Sequence, residues 1–136
     1  MKGGSQLGCL EFLSQQDGEL FDRVLCAYEH TRLVMMHYSR SFVQRDIWVV
    51  LDLARFTSLP PWQWTEELFS AWCHHLGKRK LSYSTQRTYQ SSIRRFLEFL
   101  CSNQYHSALI EQATGFSPKQ VVADTVAHHV VGGGAS

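Results

Sequence analysis

The chain has 136 residues, 44% of them hydrophobic, and 13 Lys and Arg stand against 12 Asp and Glu for a formal net charge of +1. That much apolar content buries a real core and excludes an intrinsically disordered chain, while the near-zero balance excludes a uniformly basic surface. The longest apolar run falls far short of the ~20 residues that a membrane span requires.

Residues 1–18 read as a loose lead-in, residues 19–127 as one helical domain, and residues 128–136, which end in Gly-Gly-Gly-Ala-Ser, as a flexible tail. Within the domain, Leu20, Val24, Ala27, Tyr28, Thr31, Met35 and Tyr38 recur at three- and four-residue steps and predict an amphipathic helix starting near Glu19. Ser39-Arg40-Ser41 supplies a break and a new N-cap. A second helix comes next, with Ile47, Trp48, Val50, Leu51 and Ala54 on its apolar side, ending near Phe56. Pro60 and Pro61 must interrupt it, because proline lacks the amide donor and clashes with the preceding turn.

Thr65 caps a third helix with Glu66 and Glu67 in its first turn. Leu68, Phe69, Trp72 and Leu76 are buried, and Gly77 is the expected stop. Ser84 or Thr85 is expected to cap a fourth helix, whose apolar positions are Tyr89, Ile93, Phe96, Leu97 and Leu100. A short terminal helix is expected over residues 118–127. The fold class is therefore all-α, a compact bundle of four to five helices.

Charge is segregated along the chain. From His74 to Arg95 there are six Lys or Arg and no Asp or Glu, which leaves seven cations against twelve acids elsewhere. A helix N-terminus offers unpaired amide donors and the positive end of the macrodipole, so Lys78, Arg79, Lys80, Ser84, Thr85 and Arg87 form a phosphate-binding candidate. Arg94 lies about two turns from Arg87 on the same polar face as Ser91, and Gln86 and Gln90 are candidate adenine readers in a major groove. A faint likeness between residues 41–45 and 82–87 nominates Gln44 and Arg45 as a second DNA face. The competing reading is a protein-interaction module whose arginines meet an acidic partner.

Other chemistry is thin. Glu66 and Glu67 read as dipole compensation, and Trp62 and Trp64 as packing of a proline turn rather than a ligand-stacking pair. Cys9, Cys26, Cys73 and Cys101 contain no CxxC pair, and no signal-peptide pattern opens the chain, so a reduced cytoplasmic setting is expected. A metal reading needs Cys73 and His75 to converge with Cys101 or His106. No finger or ribbon spacing supports it, so neither metal nor cofactor is expected.

Three segments carry a family resemblance. Residues 84–90, Ser-Thr-Gln-Arg-Thr-Tyr-Gln, with Phe96 and Leu97 after them, resemble the S-T-x-R-x-Y helix of the core-binding domain of tyrosine recombinases, the phage integrase family. Pro61-Trp62-Gln63-Trp64-Thr65 with Trp72 and Leu76 is similar to the segment that precedes that helix in integrases of actinobacterial mobile elements. Tyr105, Gly115, Pro118, Gln120, Val121 and His129 keep the order of the stretch that leads out of the domain, although Phe116 comes after Gly115 instead of preceding it, and Thr125 or Val126 stands where the family has Asn.

The resemblance implies a SAM-like bundle that grips one face of attachment-site duplex DNA, contacts neighbouring recombinase protomers and does not cut DNA by itself. It implies Ser84, Thr85, Arg87 and Arg94 at the DNA face, with Lys78 and Lys80 on nearby phosphates. The family's catalytic Arg, Lys, His-x-x-Arg pair and nucleophilic Tyr are expected in a second domain, so Tyr83, Tyr89 and Tyr105 take no nucleophilic role; the alternative within the resemblance is a truncated integrase remnant that competes for recombinase sites.

Overall fold

A computed structural model describes residues 10–122, and the elements in it are all helical. Five α-helices succeed one another: α1 Gln15–His30, α2 Arg40–Thr57, α3 Glu66–Lys78, α4 Tyr83–Ser102 and α5 Gln104–Thr114. A π turn, Thr31–Met35, extends α1, and a 3-10 turn, Pro61–Gln63, precedes α3. All five helices begin on a side-chain cap that accepts from the amide three residues on: Ser14, Ser39, Thr65, Ser82 and Asn103. Each such cap contributes about 1 kcal/mol by satisfying one of the orphan donors of the first turn.

These caps move two expected boundaries. Capped by Ser14, α1 starts at Gln15, four residues ahead of Glu19 and inside the expected lead-in, while Ser39 opens α2 within the expected Ser39-Arg40-Ser41 break. For α4 the cap is Ser82, whose hydroxyl accepts from Thr85 N at 3.1 Å, so Ser84 and Thr85 lie inside the first turn. Gly77 does not stop α3. The helix continues to Lys78, Arg79 caps it, and Lys80 makes the turn in the left-handed region at φ 62°.

The core is built around α2 and α4. On α2, Val43, Ile47, Val49, Val50, Leu51, Leu53 and Ala54 are all buried, a stripe wide enough to pack against several neighbours at once. From α4, Ile93, Phe96, Leu97 and Leu100 meet it, and Phe96 sets its edge against the Tyr28 ring of α1 at 5.2 Å. Trp62, Trp64 and Trp72 are fully buried beneath the proline turn, and Trp64 Nε1 donates to the Leu59 carbonyl at 3.0 Å. The tryptophans of the Pro-Trp segment are therefore core.

The stripe predicted to run from Leu20 to Tyr38 fails in its last third. Met36 N donates to the Thr31 carbonyl at 3.1 Å, a five-residue step that inserts one residue into the turn and rotates the residues after it. Met35 is consequently 68% exposed and Tyr38 also faces solvent, while Arg32 is turned into the interior. Trp48 is exposed too, with its ring on Tyr89 at 5.8 Å. Beyond α5, Gly115 at φ 82° reverses the chain, and residues 116–122 run back along α4 without helix. Gln120 Nε2 donates to the Arg94 carbonyl at 3.1 Å, and Val121 and Val122 are buried. The helix expected over residues 118–127 is thus not formed at residues 118–122, where side-chain anchoring to α4 replaces it, and its remainder lies outside the described residues, as do Cys9, His128, His129 and the expected tail.

Candidate nucleic-acid interface

The acid-free segment does not stay acid-free in three dimensions. Two of its six cations are met by carboxylates of α2: Arg79 Nη1 reaches Asp52 Oδ2 at 2.8 Å, and Arg95 binds both oxygens of Asp46, Nε to Oδ2 at 3.0 Å and Nη2 to Oδ1 at 2.8 Å. Asp52 also accepts from Trp72 Nε1 at 3.0 Å, which ties the end of α3 to α2. Arg79 is therefore a half-buried structural residue and not a free phosphate ligand.

Asp46 is the hub that linear reading overlooked. It is fully buried and accepts from the Tyr28 hydroxyl at 3.2 Å and the Ser92 hydroxyl at 2.7 Å besides Arg95, so one carboxylate joins α1, α2 and α4. Burial works against the charge on Arg95, yet the hydrogen bonds and charge of Asp46 outweigh it and hold the guanidinium above its ordinary pKa. Burial, aided by the Asp46 charge, pushes the Tyr28 phenol well above its ordinary range.

Two predicted base readers are corrected. Gln86 is 2% exposed and Gln90 is 0% exposed, and Gln86 Nε2 donates back to the Leu81 carbonyl at 3.0 Å. Neither amide reaches a base edge from the core. The cause is the Ser82 cap, which puts Gln86 four residues beyond it on the inward face. Gln44 stands five residues beyond its own cap, Ser39, and points outward, where it donates to Glu29 at 2.9 Å. The faint likeness of the two segments is therefore out of register by one residue. Arg45 beside it is exposed, with its guanidinium 5.6 Å from the Phe42 ring.

The outward residues that remain form one surface. Lys78, Lys80 and Ser84 are exposed around the corner between α3 and α4, and Thr85, Arg87, Ser91 and Arg94 are half-buried along α4. Arg87 lies over the Tyr83 ring at 5.8 Å. Seven residues separate Arg87 from Arg94, about 10 Å along the helix. Among the described residues, Lys78 and Lys80 make no ion pair.

Other candidates disperse. Among the described residues no three His, Cys, Asp or Glu side chains come together as a metal site. Cys73 is buried, and the His75 ring lies against Phe56 at 4.9 Å. His37 and Arg40 do stand at His-x-x-Arg spacing, but they straddle the link between the π turn and α2, with His37 in the left-handed region at φ 60° and both residues exposed. No helix among the described residues is long and apolar enough to cross a membrane. No family model, no curated protein and no solved structure matches this chain.

Proposed function

We propose that this chain binds duplex DNA through the corner between α3 and α4 and the outward side of α4, acting as a core-binding domain of the tyrosine recombinase type and leaving strand cleavage to another domain. The reading puts it in the cytoplasm with DNA and other recombinase protomers as partners. Lys78, Lys80, Ser84, Thr85, Arg87, Ser91 and Arg94 make the contacts. Gln86, Gln90 and Arg79 hold the surface in place.

The observation that carries this reading is Lys80. An L-residue in the left-handed region is held at a cost of about 1 kcal/mol, and glycine is the residue that avoids it. Here the position carries an exposed lysine, without an ion pair among the described residues, beside the first turn of α4. A side chain kept where the backbone disfavours it points to a use for its charge.

The test separates charge from fold. Counterion release gives a slope of log K on log salt of about −0.9 per phosphate contact, so four cations predict about −3.6 on a ~30 base-pair duplex. Lys80→Gly is expected to leave stability equal or up to about 1 kcal/mol higher while flattening the slope by about 0.9. Arg87→Ala with Arg94→Ala flattens it by about two contacts. Salt-insensitive binding, or none at low salt, rejects the proposal and favours protein contact instead, for which the exposed apolar residues Val34, Met35, Met36 and Tyr38 offer a surface.

A further inference from the structure

The groove between the π turn and the C-terminal half of α4 has a volume of ≈ 390 Å³ and is lined by Thr31, Arg32, Met36, Glu98 and Phe99 among others. One of its lining residues carries an unusual group. Arg32 is only 9% exposed, and its guanidinium carbon lies 4.3 Å from the Tyr38 ring centroid and 5.5 Å from that of Tyr28. One nitrogen, Nη1, rests on the Met36 thioether at 3.8 Å, a weak acceptor. The other two, Nε and Nη2, are buried with no hydrogen-bond partner among the described residues.

Those two nitrogens are the side edge of the planar guanidinium, whose parallel N–H groups match the two oxygens of a carboxylate or a phosphate. The protein itself shows what this edge takes: in Arg95, Nε and Nη2 are the atoms that bind the two oxygens of Asp46. Around Arg32 no carboxylate of the described residues fills the corresponding place. A buried cationic edge without an acceptor costs free energy that a bound oxyanion recovers.

We propose that this groove is a binding site for a small organic oxyanion, a carboxylate or phosphate monoester, whose charged end takes the Nε and Nη2 edge of Arg32 and whose apolar body lies against Met36 and Phe99. The π turn creates the site, because its extra residue is what swings Arg32 inward. Because Nε and Nη2 are buried, entry requires the Arg32 side chain and the groove wall to shift, and Met36, which rests on Nη1, is an unbranched side chain able to repack as they do. Glu98, exposed at the rim, repels a second negative charge and so selects ligands with one anionic end. The site adjoins the proposed DNA surface, Glu98 lying one helical turn beyond Arg94 on α4, but it does not depend on that reading and stands whether or not DNA binds.

Benzoate, phenyl phosphate and inorganic phosphate, titrated at constant ionic strength, are the probes, read by the Arg32 Nε–H resonance in 15N spectra. The proposal expects a saturable shift with benzoate or phenyl phosphate, the arm that saturates identifying the oxyanion, and weaker binding of inorganic phosphate. Arg32→Lys keeps the charge but loses the edge, and is expected to weaken binding at least about ten-fold, as loss of a bidentate charge-assisted pair does. Glu98→Gln, an exposed change that leaves the fold intact, is expected to tighten it by about three-fold by removing a like charge. If Arg32→Lys does not fold, the Glu98 variant decides. No saturable shift for either organic probe, or an unchanged affinity in Glu98→Gln, overturns the proposal.

Discussion

Replacing Asp46 with alanine removes the carboxylate at the junction of α1, α2 and α4 and strands the donors of three side chains. In the folded protein that carboxylate is fully buried and accepts four hydrogen bonds, from Tyr28, Ser92 and twice from Arg95. Removing one partner of a buried ion pair costs about 3–5 kcal/mol, because the other charge stays behind unpaired. Domains hold about 5–15 kcal/mol in total, so Asp46→Ala consumes a large part of the stability. At roughly 3–5 °C per kcal/mol for a chain of this size, Tm falls by about 10–20 °C.

Urea unfolding followed by circular dichroism at 222 nm measures the change, with an unaltered m-value showing that the native and unfolded states kept their compactness. A double variant, Asp46→Leu with Arg95→Met, removes both charges and is expected to be at least about 2 kcal/mol more stable than Asp46→Ala alone, since apolar replacement of a whole buried pair is often neutral. If Asp46→Ala lies within about 1 kcal/mol of the wild type, or if the double variant is merely the sum of its singles, the hub is not what holds these helices together.

The caps and the buried titratable groups give three further outcomes. Ser82→Ala is expected to cost about 1 kcal/mol in thermal or urea unfolding, whereas Ser84→Ala, already inside the helix, stays within about 0.5 kcal/mol of the wild type; equal effects would return the cap to Ser84. Burial pushes the Cys73 thiol up to about 12, so it should resist a disulfide reagent at pH 8 and react only once denaturant opens the core, while the exposed Cys26 and Cys101 are accessible; rapid labelling of Cys73 in the native protein would contradict its packing. Burial, with the charge of Arg23 second, lowers the pKa of His106 below 6.5, so the folded state binds fewer protons there than the unfolded one. The contribution of His106 is fully present above about pH 6.5 and is lost as pH falls through the lowered folded value; His106→Gln should therefore flatten the stability profile between pH 7 and 5, and parallel profiles would refute the assignment.

Much of the candidate surface was legible because it depends on neighbours in the chain. Lys78, Lys80, Ser84, Arg87 and Arg94 are near one another in sequence and on one helix and its lead-in, so three- and four-residue spacing alone puts them close together. Gln86 and Gln90 show where such reasoning stops: a cap earlier in the chain than expected, with four-residue steps from it, turns both amides into the core. Helix α5 escaped notice since only His106 and Ile110 are buried along it, too few to mark an apolar face. Arg32 was hidden by a single inserted residue in the π turn.

The sequence by itself determined the helical class, the positions of α2, α3 and α4, the packing of the tryptophans around the proline turn and the placing of a cationic corner between α3 and α4. These are short-range matters, decided by apolar period, proline sterics and the hydroxyl that caps a turn. Only the tertiary structure decided that Arg79 and Arg95 are taken up by the fold, because their partners, Asp52 and Asp46, lie 27 and 49 residues away in the chain. Charge counted along a sequence takes no account of what a neighbouring helix brings across, and in a low-dielectric interior that neighbour settles whether an arginine binds a ligand or holds the fold together.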